Sequence, residues 1–174
     1  MDRIEKIAKN VASSSQMDAI GEIWKRLSGF RFGARQIDGS YGIDDDDELM
    51  KNYSLASPRM TLEEEIGTCW DIASCAKYLL DKEGIQNFAV FCTDGYDFVE
   101  FPNNHCFNVA VVDGGFVLVD ASERKMVKKY RSLNDLLSEY GKDFRKFYRM
   151  DTFPPDGSGF WNFVEYASSG EELK

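Results

Sequence analysis

The chain has no run of 18 apolar residues, so nothing in it reads as a transmembrane helix. No apolar h-region follows Met1-Asp2-Arg3-Ile4-Glu5-Lys6, and no signal peptide is expected. The expected compartment is therefore the cytoplasm, where the sequon Asn52-Tyr53-Ser54 is a chance match. Positive charge is also short. Against 30 Asp and Glu stand 21 Lys and Arg, a formal net charge of −9. Nucleic acids and anionic membranes both require a basic face, so neither is an expected partner. The glycines of residues 28–48 come without Gly-Lys-Ser/Thr, which excludes a P-loop. The run Asp44-Asp45-Asp46-Asp47-Glu48 lacks EF-hand spacing and a turning glycine. It is expected to be the solvated acidic start of a short helix. Cysteine is sparse and irregularly placed, at Cys69, Cys75, Cys92 and Cys106, so free thiols are expected and disulfides are not. Zinc prefers ligands paired at short spacing, and no cofactor or metal is expected. There is one histidine, His105.

What is present suits a globular domain. Of 174 residues, 43% are hydrophobic and 29% charged. Thirteen Phe, eight Tyr and three Trp can fill an aromatic interior. The chain reads as one domain over 1–174. Residues 1–44 are expected to form a helical N-terminal extension and loop, and 45–166 the core of the domain.

Helical spacing appears at Ile4, Ile7, Ala8 and Val11, and again at Ile20, Ile23, Trp24 and Leu27, with a break at Ser13-Ser14-Ser15. Residues 28–48 read as one long loop. Residues 69–82 form the strongest helix, with Trp70, Ala73, Leu79 and Leu80 inward and Gly84 as its stop. Strands follow at 88–92, 105–112 and 115–120, the last two joined at Asp113-Gly114 in a type I′ turn. Ser132 opens another helix that turns Leu133, Leu136, Leu137 and Tyr140 inward. Late strands are expected within 144–153 and 160–166, separated by Pro154-Pro155-Asp156-Gly157. Helices segregated from antiparallel strands indicate an α+β fold.

Cys69 is the candidate nucleophile. Thr68-x-x-Asp71 is a capping-box variant, so Thr68 is the N-cap and Cys69 the first helical residue. A helix N-terminus favours a thiolate and offers backbone N–H groups to an oxyanion. Gly67 permits the sharp approach to that turn. The remaining cysteines read as buried structural thiols.

His105 and Asp120 follow from strand arithmetic. With Asp113-Gly114 as a two-residue turn, Val112 opposes Gly115 and Asp120 falls opposite Phe107. His105 and Phe107 share a face, so His105 and Asp120 are diagonal neighbours. A slip of one residue would separate them. Val109, Val111, Phe116 and Leu118 complete that face as core. The trio suits thiol chemistry: the thiol attacks, the imidazole moves the proton, and the carboxylate sets the tautomer.

The blocks Gly67-Thr68-Cys69-Trp70-Asp71, the His105 strand and the Asp120 strand resemble the transglutaminase-like superfamily. Its members share the order Cys, His, Asp, with the Cys opening a helix. Tyr130-Arg131-Ser132-Leu133-Asn134-Asp135-Leu136-Leu137 is similar to a stretch in its small prokaryotic and phage members. The resemblance spans roughly 45–140. It implies a papain-like fold, in which the central helix bearing the Cys packs on an antiparallel β-sheet. It further implies acyl transfer or amide hydrolysis through Cys69, His105 and Asp120 on a protein or peptide substrate. Hydrolysis is favoured over transamidation because the calcium sites of large transglutaminases are not evident. The alternative is a protein-binding module with a vestigial triad. Trp24, Gln16 and Gln36 are available as a second oxyanion donor, none in a recognisable motif. Oligomeric state is not legible.

Overall fold

The computed structural model describes residues 15–43, 50–94 and 103–173. The helix expected over residues 4–11, the acidic run 44–48 and most of segment 94–104 lie outside the described residues.

The first described helix, α1 (Gln16–Leu27), starts where the serine break ends. Ser15 caps it in a reciprocal box with Asp18, and Ile20, Ile23 and Leu27 are buried. The expected long loop after it is corrected. Residues 31–42 contain three short strands: β1 (Arg31–Phe32), β2 (Ala34–Arg35) and β3 (Tyr41–Gly42). β2 and β3 pair as a hairpin, and β1 runs parallel to β4 (Ile66–Gly67). Two-residue strands are too short to display alternation, which is why the pattern read as loop. A helix not anticipated from the sequence, α2 (Pro58–Glu64), begins at Ser57, whose side chain accepts from the Met60 N–H. Pro58 occupies the first turn, where its missing N–H costs nothing.

The central helix α3 (Cys69–Lys82) has the expected bounds, and Gly84 follows it at φ 66°. The main sheet contains β5 (Asn87–Thr93), β6 (Asn104–Val112), β7 (Gly115–Asp120), β8 (Lys125–Tyr130), β9 (Lys146–Met150) and β10 (Glu171–Leu173). Their order is β10-β9-β5-β6-β7-β8, and every neighbouring pair is antiparallel. α4 (Leu133–Leu137) is shorter than expected, and Tyr140 lies in the turns that follow it. The late strand expected over 160–166 is also corrected. That segment is α5 (Phe160–Ser168), with Phe160, Phe163, Val164 and Ala167 buried. Their spacing is helical, and that period prevails over the strand preference of aromatic residues.

Two apolar layers flank the sheet. On one face, Ile72, Cys75, Ala76 and Leu80 of α3 join α1 over Ala110, Val112, Val117 and Val119. Trp70 and Ala73 continue this layer over Ala89, Phe91, Tyr148 and Met150, under α5. On the other face, Phe88, Val90, Phe107, Val109, Leu118 and Phe147 are covered by Leu136, Leu137, Tyr140 and Phe144. Val111 and Phe116, expected as core, are only partly buried. The fold is thus α+β, with the cysteine-bearing helix packed on an antiparallel sheet. Among the described residues no helix is long and apolar enough to cross a membrane.

Candidate active site

Cys69 stands at the head of α3, half-buried and free of any disulfide. Thr68 caps that head. Its N–H and hydroxyl donate to Asp71 Oδ2 at 2.9 and 2.8 Å, and the Asp71 N–H returns to the Thr68 hydroxyl. Asp71 does more than cap. Wholly buried, it also accepts from the Tyr53 hydroxyl at 2.9 Å and the Ala56 N–H at 2.8 Å. Burial pushes its carboxyl up, and these donors partly offset the rise. The network clamps residues 53–56 onto the helix head. Thr68 takes the N–H groups of Asp71 and Ile72, while those of Cys69 and Trp70 lead the helix.

The hairpin register is the one required. Val112 pairs with Gly115 and Asn108 with Val119. Asp113 and Gly114 both hold positive φ, at 48° and 69°, as a type I′ turn demands. His105 Nε2 consequently lies 2.8 Å from Asp120 Oδ2, with both residues buried. The Cys69 side chain stands close enough to the same imidazole to favour its protonated form. His105 is the second residue of β6, so its meeting with the head of α3 occurs at the end of the sheet. Burial alone would lower the imidazole. The Asp120 bond and the Cys69 thiol outweigh it and hold His105 at about 10. Burial would likewise raise Asp120, but its bonds to His105, Tyr140 and the Glu123 N–H bring it below the ordinary carboxylate range.

All three sequence-derived residues therefore meet at one point. Several neighbours were not foreseen. The Tyr140 hydroxyl donates to Asp120 Oδ2, while Oδ1 accepts from the Ser122 hydroxyl at 3.0 Å and the Glu123 N–H at 3.1 Å. Trp70 Nε1 donates to Asn104 Oδ1 at 2.9 Å, tying the residue after Cys69 to the residue before His105. Trp24, a candidate oxyanion donor, instead donates to the backbone oxygen of Asp120 at 3.2 Å. Gln36 is spent on the Ala34 carbonyl at 2.9 Å, and Gln16 is exposed on α1. Asn104 and Trp24 had no motif to betray them; only the tertiary fold brings them here.

Cys75, Cys92 and Cys106 are buried, and burial pushes all three thiols well up. Cys106 belongs to the α3-facing layer, while Cys92 lies on the opposite face. Among the described residues no group of three His, Cys, Asp or Glu converges as a metal site.

No protein-family model matches the chain, and no curated protein matches it in sequence. Among solved structures it is similar to LapG of Legionella pneumophila, at 14% identity over 85% of this chain and 84% of that one, with a TM-score of 0.46. The EGTA-treated form of the same protein gives 13% identity, 98% and 99% coverage and a TM-score of 0.47. A candidate cysteine protease from Cytophaga hutchinsonii gives 14% identity, 91% of this chain and 55% of that one, and a TM-score of 0.43. At that level of agreement the likeness assigns no residue a role.

Proposed function

We propose that the protein is a thiol-dependent acyl-transfer enzyme of transglutaminase-like, papain-like type, acting as a cysteine peptidase or amidase. One observation carries this reading. A half-buried thiol at a helix head stands beside an imidazole whose Nε2 is held by a buried carboxylate. Cys69 gives its proton to His105 and attacks the carbonyl carbon of an amide. The N–H groups at the head of α3 stabilise the resulting oxyanion. His105 returns the proton to the leaving nitrogen, and the C–N bond breaks to leave a thioester on Cys69. Water, deprotonated by His105, then releases the acid and regenerates the thiol. An amine in place of water would yield a transferred acyl group instead. The substrate in this reading is a peptide or protein, and the compartment the cytoplasm.

Iodoacetamide labelling tests the chemistry without a known substrate. Cys69 should alkylate at pH 5.5 at least tenfold faster than free cysteine, and His105→Asn should abolish that advantage. A Cys69 that reacts no faster than free cysteine would mean a binding module with an idle triad.

A further inference from the structure

We propose that Tyr140 is a positioning residue of this site, its hydroxyl sharing Asp120 Oδ2 with His105 Nε2 and so limiting the carboxylate's pull on the imidazolium proton. This rests on the thiol chemistry proposed above and adds a fourth participant to it.

Tyr140 is 2% exposed and sits in the turns after α4. A core tyrosine needs only some acceptor for its hydroxyl. This one ends on the oxygen that binds the candidate base. Two rings pack against its own. Phe107 stacks at 4.3 Å and 9°, and His105 lies at 5.7 Å and 30°. Lys125 Nζ stands 3.5 Å from the ring centroid, a cation that makes the phenol a better donor. Burial and the Asp120 charge push the phenol well up, so it remains an O–H donor at any working pH.

The chemistry explains why such a donor is useful. The imidazolium must be stable enough to accompany a thiolate, yet acidic enough to protonate the leaving group. Asp120 Oδ1 is filled by Ser122 and Glu123, so the balance is set at Oδ2. With both donors in place, the carboxylate charge is divided between them. Without the tyrosine hydroxyl the imidazolium holds all of it, and its proton binds more tightly. The groups facing His105 are Cys69 from α3, Asp120 from β7, Tyr140, the Phe144 ring, and Cys92 of β5, whose thiol donates to the His105 carbonyl. Of these, Tyr140→Phe changes one hydroxyl only.

The chain has a single histidine, so the ring Cε1 proton in NMR reads His105 alone. In Tyr140→Phe the titration midpoint should rise by about one pH unit, a tenfold gain in proton affinity. Replacing tyrosine by the more acidic 3-fluorotyrosine during expression retains every hydroxyl, and should move the midpoint down. It also decides the matter if Tyr140→Phe does not fold. A midpoint that stays put or falls in Tyr140→Phe, or that ignores fluorination, overturns the role of Tyr140. The thiol chemistry survives that result provided the wild-type midpoint is elevated. A wild-type midpoint near the ordinary histidine value, with slow Cys69 alkylation, overturns both.

Discussion

Replacing Asp120 by Asn removes one charge and almost no volume, and the surrounding donors dictate how the site responds. Asp120 Oδ1 accepts from the Glu123 backbone N–H, which cannot reorient, and from the Ser122 hydroxyl. The asparagine oxygen must therefore take that side. Its amide nitrogen then occupies the place of Oδ2, where His105 Nε2 and the Tyr140 hydroxyl had been donating. Two donors would face a donor. His105 can escape by moving its proton to Nδ1, so that Nε2 accepts from the amide. That tautomer carries its proton on Nδ1 and uses the Nε2 lone pair on the amide, so the thiol loses its base. Burial still lowers the imidazole and the largest raising contribution is gone, so the His105 midpoint should fall well below about 10. Thiolate-dependent reactivity should drop roughly 10³–10⁴-fold, the loss expected when a triad imidazole is locked in the wrong tautomer. Stability at pH 7 should fall by about 3 kcal/mol, the low end for removing one partner of a buried pair, because the Oδ1 contacts survive. Iodoacetamide kinetics from pH 5 to 9, with the His105 NMR titration and urea unfolding, measure all three. An Asp120→Asn protein that folds and keeps the wild-type alkylation profile and His105 midpoint would refute the reasoning.

The same geometry sets three other outcomes. His105 has a folded value raised to about 10 from an ordinary 6.5, so the stability it contributes is complete below pH 6.5 and gone above about pH 10. Wild-type unfolding free energy should therefore decline across that window more steeply than in His105→Asn, as read by urea denaturation. In Gly67→Ala the new Cβ would lie 2.7 Å from Asp71 Cβ, well inside carbon contact, so about 1–3 kcal/mol of stability and the fast alkylation of Cys69 should both be lost. Trp70→Phe keeps an aromatic ring against Phe163, now stacked at 3.9 Å, but removes the bond to Asn104. It should cost about 1–3 kcal/mol by thermal or urea unfolding.

The parts of the site that were legible in the sequence are those set by short-range rules. Thr68 and Asp71 lie three residues apart, so a local cap could be read and Cys69 placed at the helix head. Asp113-Gly114 fixes a two-residue turn, and the turn fixes the register that joins His105 to Asp120. The misreadings share the opposite property. β1 to β3 are two residues each, too short for any period to appear. In α5 the aromatic residues suggested strand, and the helical repeat of Phe160, Phe163, Val164 and Ala167 was the better signal. Tyr140 was correctly turned inward, but nothing local says that its hydroxyl ends on Asp120 rather than on another acceptor.

The remaining tertiary contacts give the two tryptophans of α1 and α3 a common part in the site. Cys69 and His105 come from a helix head and a strand start, and neither local rule brings them together. The Trp70–Asn104 bond does so one residue away from each. Trp70 in turn is held by Phe163 of α5 and by Tyr53. Tyr53 itself bonds to Asp71 under the same helix head. On the far side, Trp24 of α1 holds the Asp120 backbone oxygen. Elements near both ends of the chain thus brace a site whose chemical groups all lie between them. The indole bonds set where Cys69, His105 and Asp120 stand, while the cap and the hairpin set which way they point. Near-attack geometry is sensitive to displacements of about 1 Å, so loosening either brace should slow Cys69 without touching a reacting group.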